Sequence, residues 1–455
     1  MQSLRDSLIH DATFLFRFVD SIERFVAEHE SQFTYNDATV SYFLEVRSEV
    51  EKTKKFILEL LGKASQSKSD ADGLRYQRAL TIQKDRWKIR HTYIKPAADA
   101  DSLNVPGPLI RMAESHIREL VGAENSEVVV LLTPELMYFE NRPSDPLGKG
   151  RVFLEIPYSQ AAGFFGNLTI YHELGHYVWG RLAAEQPRRS AFAALVGSLE
   201  DIFANKIASR VPTPANRDKI KPAYDSWTQE LFCDLFAVRH LGPASTFALI
   251  DILSLFGLMQ DGDGDPSNDL TFNKNHPAPA LRFRAQLKRL QDDGWWDCIQ
   301  ALPSEHIGLI RGLAEKKDSE YLFAWDNDDL PQELIHIFMA VLPLIHELAV
   351  DVTPAVKSRD DDFRSWRDRL ESCFVNGVVP SQLVAEGASS PTPVSMINAA
   401  YCVYLARLSE LMDKLDGQLI SAPEHRQRWV ERLEAWTMKG IDDYFLLSGL
   451  GEEVT

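Results

Sequence analysis

Residues 171–180 read YHELGHYVWG, in which His172, Glu173 and His176 form an HExxH pattern. On an α-helix, positions i and i+4 lie on one face, a turn apart. Two imidazoles so placed can reach a single Zn²⁺ at about 2.0–2.1 Å. Glu173 projects beside them, where it can take a proton from a water activated by the metal. The pattern is uncommon: with 12 histidines in 455 residues, about 0.02 matches are expected in a random sequence of this composition. A partial copy, His346-Glu347-Leu348, carries Val350 where the second histidine must stand, and it reads as structural.

A catalytic zinc takes three protein ligands and keeps one open position. The third ligand is expected downstream, on another helix. Residues 227–240 read WTQELFCDLFAVRH. Glu230 and Asp234 share a face there, and Leu231, Phe232, Leu235 and Phe236 supply packing. Glu230 is the expected metal ligand. Asp234 is expected one step out, accepting a hydrogen bond from a ligand histidine and so fixing its tautomer and raising its basicity. Cys233, between the two acids, is expected to pack, although a thiol there is also a conceivable fourth ligand.

HELGH followed by ELFCDLFA resembles the gluzincin metallopeptidases, whose signature is HExxH with a downstream ExxxD. A third segment extends the resemblance. Residues 276–284 read HPAPALRFR, which is similar to the His-Pro and arginine segment of the CAAX-prenyl-endopeptidase-like branch. The resemblance implies that His276 helps to stabilise the oxyanion and that Arg282 pins the segment or assists. A hydrogen-bonding or cationic group aimed at a developing alkoxide is what a tetrahedral intermediate needs. The resemblance covers roughly residues 105–290. No transmembrane segment accompanies it, so the lipidated substrates of membrane-embedded members are not carried over.

These side chains need elements to hold them. Helices are predicted near 166–184, 190–208, 226–241, 244–260 and 279–292. Glu127–Leu132 and Arg151–Ile156 read as short strands, with Met137–Glu140 a possible continuation of the sheet. Arg151–Ser159, just before the HExxH helix, is the candidate edge strand for pairing with an extended peptide. Tyr158, Tyr171 and Tyr224 are alternative phenols for the oxyanion, with packing the more ordinary use of each. Toward the N-terminus, Phe14, Phe16, Phe18, Ile22, Phe25 and Val26 suggest one amphipathic helix, and Tyr42, Phe43, Val46, Val50, Phe56 and Leu60 a second. A third reaches toward Ile94, which together predicts a helical hairpin or small bundle. The whole is predicted to be α+β and predominantly α-helical. It comprises an N-terminal helical region (1–104), a zincin-like core with a small sheet (105–295) and a C-terminal helical region (296–455).

Composition narrows the function classes. Lys plus Arg is 49 and Asp plus Glu is 66, a net charge of −17. That disfavours a duplex nucleic-acid binder, which must displace counterions with cations, and docking on an anionic membrane. Cys233, Cys298, Cys373 and Cys402 form no CxxC pair, which argues against a disulfide framework or a cysteine zinc knuckle. Arg5, Asp6, His10 and Asp11 interrupt what would be a signal peptide, and the apolar run near Leu334–Val350 is broken by His336, Pro343, His346 and Glu347. A cytoplasmic location and no membrane span are therefore expected. The acidic loop 261–269 has Pro266 and Phe272 where a calcium loop needs glycine and a bidentate acid, so it reads as a solvated loop. The expected function is zinc-dependent hydrolysis of a peptide or protein substrate, with the helical flanks available to a protein partner. The alternatives are a regulatory or scaffold protein that keeps the metal core without turnover, and a metal-dependent hydrolase acting on something other than peptides.

Overall fold

A computed structural model describes residues 2–29, 37–66, 69–102, 107–121, 127–133, 151–157, 163–184, 189–210, 214–255, 276–277, 279–300, 302, 304–315, 330–353, 359–384, 390–416 and 423–452. The expected strand at 137–140, Tyr158 and the acidic loop 261–269 lie outside the described residues. The described residues are predominantly α-helical with one small sheet, the predicted α+β class. It divides into two compact units, Met1–Ile110 with Gly122–Ala162, and Arg111–Val121 with Gly163–Thr455.

In the first unit, α1 (Gln2–His29), α2 (Asp37–Gln66) and α3 (Asp70–Ser102) pack on one another. The buried stripe of α1 is Leu8, Ala12, Leu15, Val19, Ile22 and Val26. That alternating step of four and three keeps one face inward. Phe16, Phe18 and Phe25 only border this core, and Phe14 is 60% exposed. The phenylalanines thus mislead: the smaller residues on the strict stripe carry the packing. In α2, Tyr42, Phe43, Val46, Val50 and Leu60 are buried as the spacing predicts, while Phe56 only borders the core and Ile57 beside it is buried instead. The Trp87 indole of α3 donates to Thr53 Oγ1 at 3.0 Å.

Strands β1 (Val128–Thr133) and β2 (Val152–Pro157) pair in parallel, with Val128 opposite Val152 and Thr133 opposite Pro157. Both are buried on both faces apart from Glu155, as parallel pairs require. Arg151 leads into β2 and binds the carboxylates of Glu127 and Glu45 at 2.6 and 2.8 Å. β2 therefore forms where the sequence places a strand. It belongs to the first unit, however, and the HExxH segment belongs to the second.

The second unit takes residues 111–121 of α4 (Gly107–Val121). It continues with α5 (Ile170–Ala184), α6 (Arg189–Arg210), α7 (Pro214–Leu241), α8 (Pro243–Leu255) and α9 (Pro279–Asp292). After these come α10 (Trp296–Gln300), α11 (Ser304–Glu315), α12 (Leu330–Val352), α13 (Arg359–Val375) and α14 (Ser381–Val384). Last are α15 (Pro393–Cys402), α16 (Leu408–Asp416) and α17 (Pro423–Glu452). The helices beyond 296 share the unit that holds HExxH: α12 packs on α6 and α7, and α15 on α7 and α8.

Helix α7 is the axis of this unit. It starts at Pro214, well before the predicted 226, and runs through Pro222, which lies on an exposed turn. From Glu230 to Leu241 every residue is buried, the mark of a helix surrounded on all sides. It ends at Gly242, whose φ of +64° suits the left-handed position after a helix. A Cβ at Gly242 would also stand 2.8 Å from the ring of the buried Trp295. Among the described residues, no helix is long and apolar enough to cross a membrane.

Candidate metal centre

Three helices meet at the site. The HExxH pattern lies at the start of α5, after a 3-10 turn at Gly166–Thr169. Glu230 and Asp234 project from α7, and Arg282 from the first turn of α9. Gly175 sets the spacing of α5 and α7. A Cβ there would stand 2.8 Å from Cys233 Cα and 3.0 Å from Cys233 Cβ and Sγ. The two helices thus touch backbone to backbone inside the motif, and Cys233 is the packing residue the sequence suggests.

That contact brings His172, His176 and Glu230 together as a group that could hold a metal ion, with ligand atoms all within 4.8 Å of one another. His172 Nε2 lies 3.2 Å from Glu230 Oε2, and His176 Nε2 lies 3.3 Å from Glu230 Oε1. Neighbouring ligands about 2.05 Å from one ion stand about 3.3 Å apart, so these two spacings are compatible with a shared ion. Glu230 is 6% exposed, and its Oε2 accepts no hydrogen bond among the described residues. A buried, underused carboxylate oxygen facing imidazole nitrogens is what a cation would satisfy.

The histidine tautomer is set from behind. His172 Nδ1 lies 3.0 Å from Asp234 Oδ1. With Nδ1 given to the carboxylate, the Nε2 lone pair is left for a metal. Asp234 is in turn gripped by Arg282, whose Nε and Nη2 donate to Oδ2 and Oδ1 at 2.7 and 2.6 Å. This bidentate pair is buried at both ends. His176 differs, because its buried Nδ1 has no hydrogen-bond partner among the described residues.

Charge completes the test of fit. Two carboxylates, Glu230 and Asp234, face one guanidinium, so with the imidazoles neutral the group carries one net negative charge. Burial opposes a charged His172, but the carboxylates of Glu230 and Asp234 outweigh it and push its pKa up to about 10. Burial likewise works against an ionised Glu230, yet His172, His176 and Arg282 hold it well below the usual carboxylate range. Asp234 is held low against burial by Arg282 and His172. The centre therefore attracts positive charge, which a divalent ion supplies in place of the proton.

His276 and Arg282 lie on opposite sides of the Glu230 carboxylate. His276 Nε2 is 3.7 Å from Oε1, and Arg282 Nη2 is 3.8 Å from Oε2. The His276 side chain is a third exposed. Burial lowers its pKa, only partly offset by Glu230 and reinforced by Arg282, so the ring is neutral. Glu173 follows His172 on α5 and is partly buried. Of the three tyrosines, Tyr171 lies 2.8 Å from His116 Nδ1 and packs against His240, while Tyr224 donates to the Leu199 carbonyl at 2.8 Å. Those two phenols are occupied by structural bonds.

Two features of this unit are not marked in the sequence. Glu434 accepts backbone N–H groups just ahead of α5, and Asn398 bonds across the end of α7. The available signal for Glu434 is weak: it adjoins the buried stripe Trp429, Leu433, Thr437 and Ile441. No protein-family model, curated protein or solved structure matches the chain.

Proposed function

We propose that the chain is a zinc-dependent metallopeptidase of the gluzincin type. The observation that carries this reading is the gathering of His172, His176 and Glu230 with their ligand atoms within 4.8 Å of one another, with a glutamate placed between the histidines in sequence. Bound there, zinc would polarise a substrate carbonyl and acidify a water. Glu173 takes the proton from the attacking water, whose oxygen bonds to the carbonyl carbon. As the C–N bond breaks, Glu173 returns that proton to the leaving amine. His276 is neutral and open to solvent on one side, so a ring N–H is available to the oxyanion. Asp234 and Arg282 do not touch the reacting atoms; they hold His172 in the ligand tautomer.

The reading is tested by metal analysis of the purified chain and of Glu173→Gln. About one zinc per chain is expected in both, with peptide hydrolysis lost in the variant alone. A metal-free wild type, purified without chelators, would refute it. Zinc in both, with a non-peptide product formed only by wild type, would identify a metal hydrolase of another class.

A further inference from the structure

The helices after residue 296 make specific polar contacts at the ends of the helices that bear the candidate ligands. Glu434 of α17 is 7% exposed, and its Oε1 accepts the backbone N–H groups of Phe164 and Phe165 at 2.9 and 2.8 Å. These residues lead into the 3-10 turn, and Ile170 N–H bonds back into that turn as α5 begins. A carboxylate at the start of a helix satisfies orphan donors and complements the helix dipole. Tyr401 of α15 adds a hydroxyl bond to the Phe165 carbonyl at 3.4 Å and packs its ring 4.4 Å from that of Phe165. At the far end of α7, the Asn398 amide accepts from Ala244 N–H at 3.1 Å and donates to the Leu241 carbonyl at 2.8 Å. Since α15 packs on α17, one pair of helices holds the start of α5 and the end of α7.

We propose that Glu434 is a positioning residue of the metal centre, the polar contact through which α15 and α17 seat the helix bearing His172 and His176. The inference rests on the metal-binding reading above. Its physical basis is rigidity: ligands must be held within about 0.5 Å of their working positions by a supporting shell. His172 is seven residues beyond Phe165 on a continuous helical path (172 − 165 = 7). A shift at Phe164–Phe165 therefore moves both imidazoles together, away from Glu230 on the neighbouring helix. Glu434 is a costly residue to bury without such a role, since removing it would strand two buried N–H groups.

The test uses the full chain, with Zn²⁺ affinity from chelator competition and Co²⁺ absorption as a reporter of ligand geometry. Glu434→Ala is expected to weaken zinc binding by about tenfold or more and to alter the Co²⁺ spectrum. Glu434→Gln keeps a carbonyl acceptor and is expected to restore most of the affinity. By reciprocity, zinc should also slow hydrogen exchange at the Phe164 and Phe165 amides of the wild type. A folded Glu434→Ala with wild-type zinc affinity and Co²⁺ spectrum overturns the proposal. If that variant does not fold, wild-type amides at 164 and 165 that ignore zinc overturn it instead. A wild type that binds neither ion brings down the metal reading and this inference with it, an outcome distinct from both.

Discussion

Replacing Gly175 by alanine tests the geometry of the centre without touching a ligand. The new methyl carbon would lie 2.8 Å from Cys233 Cα and 3.0 Å from its Cβ and Sγ. Ordinary carbon contacts are about 3.5–4.0 Å, so α5 and α7 must part by about 1 Å. The nearest obstacle is backbone, which no rotamer change relieves. Overpacking of this kind costs about 1–3 kcal/mol, and alanine returns about 1 kcal/mol of helix propensity. The net expectation is destabilisation of up to about 2 kcal/mol. The metal centre should suffer more. His172 and His176 now stand 3.2 and 3.3 Å from Glu230, and a misplacement of about 1 Å at a working site can cost about 100-fold in function. Gly180, one turn further along the same helix, is the control. Nothing lies within 4 Å of a Cβ there, so Gly180→Ala should stabilise by about 1 kcal/mol and leave zinc binding unchanged. Urea unfolding and zinc titration against a chromophoric chelator read both quantities. A Gly175→Ala chain with wild-type stability and affinity would refute the close helix contact. Equal behaviour of the two variants would refute the assignment of their difference to Cys233.

Two further predictions address the groups behind and beside the centre. Asp234→Asn removes the charge that fixes His172 and pairs with Arg282; zinc affinity should fall by about 10–100-fold, and an unchanged affinity would remove Asp234 from its supporting role. His346, 8% exposed and without a hydrogen-bond partner among the described residues, has its pKa lowered to about 4 by burial and by Arg289, with Lys288 adding and Asp292 opposing. Its neutral form is favoured on folding, so its share of stability is complete above the unfolded value near 6.5 and is lost as pH falls toward 4, about 3 kcal/mol in all. His346→Leu should flatten the acid limb of stability between those values, and an unaltered limb would refute this.

How far the sequence revealed the site depended on whether spacing alone could place a side chain. HExxH and Glu230-x-x-x-Asp234 are local patterns, in which a helix period fixes the face, and both faces point where the period says. α9 is bounded at Pro279 and Asp292 as predicted, because a proline at the start and a glycine at 294 punctuate it. The phenylalanines of α1 are a poor guide because size and helical period disagree: Leu8, Ala12, Leu15 and Val19 keep the buried register, and Phe14 falls outside it. The early start of α7 was hidden by Pro222, which usually ends a helix but here lies on an exposed turn. Glu434 and Asn398 were beyond reach for a different reason. Their partners are 269 and 154 residues away, at Phe165 and Ala244, and no local period records a long-range hydrogen bond.

Helix α7 carries several buried charged and polar side chains. A helix enclosed on all sides should be apolar, yet Glu230, Asp234, Arg239 and His240 all lie in its buried stretch. An unpaired charge there would cost several kcal/mol. Arg239 is answered by Asp293 at 2.7 Å and by Thr353, and Asp234 by Arg282 and His172. His240 packs against the tilted rings of Phe236 and His116, centroids at 4.4 and 4.6 Å, in an aromatic cluster. Glu230 has no guanidinium in hydrogen-bond reach: it faces the Nε2 atoms of His172 and His176 at 3.2 and 3.3 Å, and Arg282 stands off at 3.8 Å. Of the four, it is therefore the one whose burial asks for a cation from outside the chain, and it stands opposite the two histidines of HExxH. Glu230→Leu separates the two possible reasons for its presence. If Glu230 serves only packing, an apolar residue of similar volume should stabilise the fold with or without zinc, as replacing buried charges often does. If it serves the metal, the variant should gain stability in chelator, lose the added stability that zinc confers on the wild type, and leave the wild type the more stable chain once zinc is saturating. Parallel unfolding curves in chelator and in zinc decide between them, and a Glu230→Leu chain that zinc stabilises as much as wild type would remove Glu230 from the ligand set.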